Sequence, residues 1–387
     1  MKITNLKLFH VKPRWLFLKI ETDEGINGWG EPVLEGKAKT VETAIREMET
    51  YLIGADPFKI EHHWQSLYRG NFYRGGAILT SAISGIEQAL WDIKGKYYSM
   101  PVYEMLGGSV RDKIRMYSHC HGYQPNTSEK LETPQTIAEN ALAKKYKGFN
   151  AIKISVDWPV RQVDTLAFLE YQVEKLKSIR EAVGSDMDIA IDFHGRISPA
   201  MAIRLAQAFE PYYPMFIEEP CLPENVDTMV KVANSTTIPI AAGERLFTRW
   251  GFREALEKQA ISIVQPDLCH AGGIFESKKI AIMSEIYYGS IAPHNPLGPI
   301  SLASCLQLAA CTPNFLIQEH PSLDNEWDLG AGYLKEQFKI EDGYIRIPKG
   351  SGLGIEVDEE MVKQRSFDGS WETPRTYHSD DGSVGDW

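Results

Sequence analysis

Ionisable residues follow short apolar runs at regular intervals along this sequence, and this regularity limits the possible folds. Asp192, Glu218 and Glu244 each stand at or just after the end of such a run, and both steps between them are 26 residues long. Later runs lead to Asp267 and His294. One strand, one helix and their loops in a barrel take about this length, since eight such units need roughly 250 residues. The spacing therefore predicts repeated βα units.

Short apolar runs alternate with segments of helical apolar spacing from about residue 113 onward, as in a (β/α) barrel. Eight runs are candidate strands: Ile114–Cys120, Ala151–Ser155, Ile189–Phe193, Met215–Ile217, Ile238–Ala242, Ile261–Val264, Gly289–Ala292 and Phe315–Ile317. Because the carboxyl ends of barrel strands lie on one face, we expect the ionisable residues to converge there, including Glu319 after the eighth run.

The first hundred residues have a different order, with strands first and helices afterwards. Two strand patterns flank the turn at 23–25, and the apolar spacing is helical from Thr40 to Tyr51 and from Ala77 to Tyr97. This order predicts a small α+β unit that ends at the glycine-rich joint near Gly107. We expect an α+β capping domain over residues 1–112, a barrel over 113–330, and a C-terminal return to the capping domain over 331–387.

Charge and cysteine content exclude some classes of protein. The formal net charge is −11, from 41 Lys and Arg against 52 Asp and Glu, which argues against nucleic acid or an anionic membrane as the main partner. The five cysteines are scattered without a CxxC pair, which suits a reducing compartment. No run approaches the roughly 20 apolar residues that span a bilayer. We therefore expect a cytoplasmic protein without a secretory signal.

Three carboxylates on neighbouring strands predict a metal site. Asp192, Glu218 and Glu244 offer only oxygen donors, which favours Mg²⁺ over Zn²⁺. Without a cation, carboxylates crowded together would repel each other and take up protons. The alternative is a rim of carboxylates that pair with lysine or arginine.

Two histidines could move protons beside this site. His294 is a candidate general base, and Asp267 could hydrogen-bond it and fix its tautomer. His194 follows Asp192 by two residues and could donate a proton to a leaving group. Glu319 could hydrogen-bond beside a substrate carboxylate. A base and a separate acid around one enediolate imply loss of an α proton and of a β hydroxyl, that is, dehydration. The alternatives are a capping histidine, a histidine that orients Asp192, and a plain salt bridge of Glu319.

The motifs around these residues resemble the mandelate racemase branch of the enolase superfamily. The resemblance rests on Asp192 with His194 and on "FIEEP", "AAGER", "QPDLCHAGG", "APHNPLGP" and "IQE", and it covers nearly the whole chain. It implies a (β/α)7β TIM-like barrel, class α/β, beneath an α+β capping domain formed by the N-terminal part and the C-terminal tail. The implied cofactor is Mg²⁺ on the three carboxylates, with His294 and Asp267 as the base and His194 as the acid.

Within that branch, the sequence resembles acid-sugar dehydratases, which implies a hydro-lyase that acts on an aldonate, D-galactonate being favoured. The second barrel strand ends in Lys153-Ile-Ser155, so the second lysine that racemases of this branch carry is absent. Elimination is therefore favoured over racemisation. Lys153 could neutralise substrate charge, and His119 and His121 could touch the substrate. Tyr73 and Arg74 could reach it from the capping domain; the alternative for all five is a solvated or structural side chain.

Two other classes of function stay open. An epimerase or a cycloisomerase would share the enediolate and differ in what leaves. A non-catalytic metal-binding barrel is the remote alternative, against which the presence of all six ionisable strand ends speaks. We expect a small-molecule sugar acid as substrate, no nucleic acid or membrane partner, and a homo-oligomer.

Overall fold

Three antiparallel strands and the helices packed on them open the chain. The structure is a computed structural model that describes residues 1–120, 133–157, 159–320 and 327–387. The strands β1 (Ile3–Val11), β2 (Trp15–Thr22) and β3 (Gly28–Gly30) pair in that order. Four helices follow: α1 (Ala38–Leu52), α2 (Ile60–Arg69), α3 (Ala77–Tyr97) and α4 (Val102–Met105).

The sheet of β1 to β3 packs so closely on α3 that glycine is needed at the contact. A Cβ atom at Gly30 would lie 2.0 Å from the carbonyl oxygen of Gly85. Fifteen residues of α3 are buried, because this helix packs against the sheet on one side and the barrel on the other. The helix pattern predicted for residues 77–97 is therefore confirmed by the structure.

Eight parallel strands with helices between them form the second layer. In chain order they are β4 (Lys113–His119), α5 (Pro134–Tyr146), β5 (Ala151–Ser155), α6 (Leu166–Val183), β6 (Asp188–Asp192), α7 (Pro199–Phe209), β7 (Phe216–Glu218), α8 (Val226–Ala233), β8 (Ile240–Ala242), α9 (Thr248–Glu257), β9 (Ile263–Val264), α10 (Ile274–Glu285), β10 (Ser290–Ile291), α11 (Pro299–Ala310) and β11 (Gln318–His320). Each of β4 to β9 pairs in parallel with the next strand.

The sheet closes on itself. β11 pairs in parallel with β4, and a parallel bridge joins Ile291 of β10 to Phe315. Side chains that point inward fill the interior: Tyr117, Ala151, Ala190, Phe216, Ala241, Ile263, Ala292 and Ile317. Seven helices of the described part, α5 to α11, alternate with these eight strands, so the predicted (β/α)7β barrel is confirmed.

One strand lies later than its apolar run predicts. The run Phe315–Ile317 makes the closing bridge, whereas the paired strand β11 is Gln318–His320. All three residues of β11 are buried although they are polar. The sequence pattern misses them because their partners are other buried polar groups, so their burial leaves no apolar signature.

The chain then returns to the N-terminal sheet and crosses the barrel mouth. The remaining elements are β12 (Ile340–Glu341), β13 (Tyr344–Arg346), α12 (Glu359–Gln364), β14 (Thr376–Tyr377) and β15 (Val384–Gly385). β13 pairs antiparallel with β4. Tyr333, Leu353 and Val362 join the apolar core of the β1–β3 unit. In the part of the chain that the structure describes, no helix is both long and apolar enough to cross a membrane.

Candidate active site

The carboxyl ends of the barrel strands surround one cavity. It has a volume of about 680 Å³ and opens between the barrel and the N-terminal unit. Asp192 is the last residue of β6 and pairs in register with Glu218, the last residue of β7, while Glu244 follows β8. The cavity is lined by seven of the residues that the sequence singles out: His119, Lys153, Asp192, His194, Glu244, His294 and Glu319. Glu218 and Asp267 are buried directly behind this lining.

Lys153 lies among the carboxylates and is only 1 % exposed. Its Nζ is 2.9 Å from Oε1 of Glu218, 2.6 Å from Oε1 of Glu319 and 3.6 Å from Oδ2 of Asp192. Burial opposes the charge, but Glu218 and Glu319 outweigh it and raise the pKa of Lys153 well above its ordinary value. The solvated alternative for this lysine is therefore wrong, because the second barrel strand directs it into the acidic cluster.

His294 is held at both ring nitrogens. Oδ2 of Asp267 accepts a hydrogen bond from Nδ1 at 2.8 Å, and Nε2 lies 3.0 Å from Oε2 of Glu244. The other oxygen of Asp267 accepts a hydrogen bond of 2.6 Å from the backbone N–H of Cys269. Although burial opposes protonation, Glu244 and Glu319 raise the pKa of His294 well above its ordinary value. Its Nδ1–H is fixed by Asp267, so Nε2 is the nitrogen that faces the cavity.

His194 has an unusual backbone that aims its side chain at the same cavity. Its φ is +53°, and Oδ1 of Asp192 accepts a hydrogen bond of 2.7 Å from its backbone N–H. Left-handed backbone at a residue other than glycine is uncommon and is concentrated at functional sites. Gly195 continues the turn at φ +64°, where a Cβ atom would lie 1.9 Å from the guanidinium of Arg245. Burial lowers the pKa of the His194 imidazole.

Glu319 connects the eighth strand to both sides of the site. Its Oε1 lies 2.5 Å from Nε2 of His119, and its Oε2 accepts a hydrogen bond from the backbone N–H of Asn295. Burial opposes the charge, but Lys153 and His294 lower the pKa of Glu319 well below its ordinary value. Glu319 is thus a buried anion engaged with protein groups, and His119 lines the cavity, while its contact with a substrate stays a prediction.

Several residues of the cavity wall escaped the sequence analysis. Arg245 holds Glu219 through contacts of 2.6 and 3.0 Å to Oε2, and Glu219 itself has a φ of +43°. Arg196 and Trp387 also line the cavity. Glu219 and Arg245 directly follow predicted metal ligands, and Arg196 follows the predicted acid His194 by two residues, so their position next to strand ends was an available signal. Trp387 had no such signal.

Two predicted substrate contacts, Tyr73 and Arg74, do not line the cavity. Tyr73 is 85 % exposed and Arg74 is exposed as well, on the loop between α2 and α3. The loop leads into Gly75 and Gly76, both at positive φ, and the two side chains point into solvent rather than into the cavity. His121 lies outside the described residues.

The donor set fits a hard divalent cation, although the carboxylates are now paired within the protein. Among residues of the described ranges, no three acidic, histidine or cysteine side chains stand ready around one point. Lys153 holds Glu218, and His294 holds Glu244. Burial, with Asp192, Glu319 and Glu244 nearby, nevertheless raises the pKa of Glu218 despite Lys153. The ionised form of Glu218 is therefore costly at this buried position, and a divalent cation held by these carboxylates would stabilise it.

The sequence matches two protein-family models over most of its length. Residues 10–107 match the mandelate racemase / muconate lactonizing enzyme N-terminal domain, and residues 136–361 match the enolase C-terminal domain-like family. Proteins named D-galactonate dehydratase from Ralstonia pickettii (strain 12J) and Xanthomonas euvesicatoria pv. vesicatoria (strain 85-10) are 47 % and 46 % identical, over 100 % of both chains in each case.

Solved structures give the same result. A crystal structure of a member of the enolase superfamily from Salmonella Typhimurium has a TM-score of 0.88 and 34 % identity, and covers 94 % of this chain and 98 % of its own. The mandelate racemase/muconate lactonizing enzyme from Jannaschia sp. CCS1 has a TM-score of 0.88 and 32 % identity, with coverage of 96 % and 99 %.

Proposed function

This chain belongs to the mandelate racemase/muconate lactonizing enzyme family of the enolase superfamily, and we propose that it is a Mg²⁺-dependent dehydratase of D-galactonate. The full-length identity of 47 % to proteins named D-galactonate dehydratase supports this substrate. The observation that carries the reaction class is one cavity in which two histidines flank a buried cluster of carboxylates. The product would be the 2-keto-3-deoxy sugar acid.

Asp192, Glu218 and Glu244 are the residues that would hold the metal. Mg²⁺ bound there would supply positive charge that stabilises the negative charge of an enediolate at the substrate carboxylate. Lys153 would give up its contacts with Asp192 and Glu218 and place its ammonium next to the same substrate charge. Its contact with Glu319 at 2.6 Å keeps it in the cavity lining.

His294 would remove the α proton. Its Nε2 takes the proton from C2 of the aldonate, and the C–H electron pair forms the enediolate. Asp267 stabilises the imidazolium through the Nδ1 hydrogen bond of 2.8 Å and keeps the ring in place. Glu244 would no longer hold Nε2 once it binds the metal, so Nε2 is free to accept the α proton while Asp267 keeps the ring from rotating away from the α carbon.

His194 would complete the elimination from the other side. The enediolate electrons form the C2–C3 double bond, the C3–O bond breaks, and the protonated imidazole of His194 gives its proton to the departing hydroxyl and becomes neutral. The resulting enol then tautomerises to the 2-keto acid. β5 carries Ser155 where a second lysine base would stand, which favours this elimination over epimerisation.

The capping arrangement belongs to the same proposal. Residues 1–112 and 331–387 would form the capping domain, and residues 113–330 the barrel. The cavity wall contains Arg14, Leu34 and Glu35 from the N-terminal unit and Trp387 from the C-terminal segment, which supports a substrate chamber between the two parts. A cytoplasmic location and a homo-oligomeric state stay predictions.

Purified protein with Mg²⁺ and a panel of aldonates tests the function. Keto product is trapped with semicarbazide, and the same reactions are followed by ¹H NMR in D₂O. We expect dehydration of D-galactonate in preference to aldonates that differ at C2 or C3. Exchange of the α proton with all hydroxyls retained would instead indicate the epimerase, and an ether as the leaving group would indicate the cycloisomerase. No reaction with any acid sugar would refute the proposal.

A further inference from the structure

The two histidines that flank the cavity are held in different ways. Hydrogen bonds fix both nitrogens of His294. His194 has a buried Nδ1 with no hydrogen-bond partner among the residues that the structure describes, and its Nε2 is 4.0 Å from Glu244, beyond hydrogen-bond distance. The backbone of His194 is fixed through Asp192, but none of the described residues fixes its ring by a hydrogen bond.

An aromatic contact takes the place of the missing hydrogen bonds. The indole of Trp387 meets the imidazole of His194 edge to face, with ring centroids 5.6 Å apart and an interplanar angle of 85°. This geometry and separation are those that aromatic pairs prefer. Trp387 is itself half-buried and lines the cavity.

The segment that carries Trp387 is anchored on both sides of the cavity mouth. On the N-terminal unit, Gly36 leaves room for Thr373, since a Cβ atom there would lie 2.1 Å from its Oγ1. The guanidinium of Arg14 lies 5.0 Å from the ring centroid of Trp371. The ring centroids of Trp371 and Trp387 are 6.4 Å apart.

A hairpin provides the anchor on the barrel side. β14 and β15 pair antiparallel, and the turn between them is bound by Arg161 through Asp380 and Asp381. Arg161 lies in the loop that follows β5, so the hairpin rests on the barrel. Trp387 follows β15 by two residues and is delivered to His194 by this anchored hairpin.

We propose that Trp387 is the positioning residue of His194: its indole fixes the imidazole that gives a proton to the departing hydroxyl. The inference rests on the proposed dehydration and deepens it, because it assigns control of the elimination step to the C-terminal segment. Removal of the α proton depends on His294 and does not need this contact. A misplaced proton donor can cost up to about 100-fold in rate.

The ratio of two rates in one enzyme tests the proposal. Trp387→Ala should slow formation of keto product by about 10- to 100-fold, while α-proton exchange in D₂O stays within about threefold of the wild type. KM should change less than kcat. Trp387→Phe retains an aromatic edge and should recover most of the elimination rate. Trp250→Ala, which removes a half-exposed indole stacked on Tyr68, is the matched control and should change neither rate.

An equal fall of the elimination rate and the exchange rate in Trp387→Ala would overturn the proposal. A raised KM at unchanged kcat would also overturn it, because Trp387 would then only line the cavity. If Trp387→Ala does not fold, Arg161→Ala, which releases the hairpin that carries Trp387, should lower the ratio of elimination to exchange in the same direction, and an unchanged ratio overturns the proposal.

A second readout does not depend on turnover. In protein labelled with ¹³C-histidine, the His194 signal is identified by its loss in His194→Asn. It should move in Trp387→Ala and stay in place in Trp250→Ala; an unmoved signal in Trp387→Ala would show that the rings do not touch. If the wild type dehydrates no acid sugar, the proposed function fails, whereas this signal still decides the contact.

Discussion

Replacing Asp267 by asparagine should reverse the tautomer of His294. The two oxygens of Asp267 have different partners: Oδ1 accepts from the backbone N–H of Cys269 at 2.6 Å, and Oδ2 accepts from Nδ1 of His294 at 2.8 Å. A backbone N–H can only donate, so the amide oxygen of the asparagine must stay on that side. The NH₂ group then faces His294, which has to accept at Nδ1 and carry its proton on Nε2.

The loss of rate follows from this reversal. With a proton on Nε2, His294 cannot take the α proton, although the ring stays in place. A positioned base contributes about 100- to 10,000-fold to the rate, which equals about 2.7–5.5 kcal/mol of activation free energy. Because removal of the α proton precedes elimination, both α-proton exchange and keto-product formation should fall by this factor. The free energy of unfolding should change much less, since a hydrogen bond remains on each side.

Both rates are measured in one sample by ¹H NMR in D₂O, beside semicarbazide trapping and urea denaturation. Asp188→Asn is the matched control. This aspartate is at the opposite end of β6 from Asp192, is bound by Arg115 at 2.7 Å and is half-exposed, so its change should leave both rates within about twofold. α-Proton exchange at the wild-type rate in Asp267→Asn would refute the reasoning, because the tautomer of His294 would then not depend on Asp267.

Three further predictions concern the acid, the metal and the domain contact. His294→Asn should abolish both turnover and α-proton exchange, whereas His194→Asn should abolish turnover and retain part of the exchange. If NMR assays gave the same residual rates for the two variants, these roles would be contradicted. Mg²⁺ at 100 times its Kd should raise the free energy of unfolding by about 2.7 kcal/mol relative to EDTA, and Asp192→Asn should remove most of this gain. Equal melting temperatures of the wild type in Mg²⁺ and in EDTA would speak against the metal site. Glu87→Ala should lower the free energy of unfolding by about 2–5 kcal/mol in urea, because two backbone N–H groups at the start of α10 and the indole of Trp91 lose their acceptor. Burial raises the pKa of Glu87 to about 7, so the folded protein holds more protons than the unfolded chain from about pH 4.5 to pH 7. The stabilisation by Glu87 should therefore decline as the pH rises through this range. A difference in the free energy of unfolding between wild type and variant that grows with pH would contradict this prediction.

The order of strands and the location of the cavity could be read from the sequence because both have local signatures. A buried parallel strand appears as a short apolar run, and a residue that faces the barrel mouth follows it directly. This is why the run Ala151–Ser155 coincides with β5, and why Asp192, His194 and Glu244 all reach the cavity. The signature weakens where burial is polar, as in β11, whose glutamine, glutamate and histidine are buried without an apolar pattern.

Contacts between distant parts of the chain had no such signature. The sequence around Lys153 is equally compatible with a solvated side chain. Only the barrel geometry places its ammonium among Glu218, Glu319 and Asp192. Tyr73 and Arg74 have suitable chemistry for a substrate contact, but their loop exposes them to solvent.

The sequence by itself thus determined the alternation of strands and helices, the barrel that it builds, and which ionisable residues stand at the strand ends. It could do so because periodicity and spacing depend on short stretches of chain that are buried in the same way in each unit. The tertiary structure decided which of these residues touch one another. The fixed tautomer of His294, the burial of Lys153 and the meeting of Trp387 with His194 each need segments that are far apart in the chain, and only the path of the folded backbone brings them together.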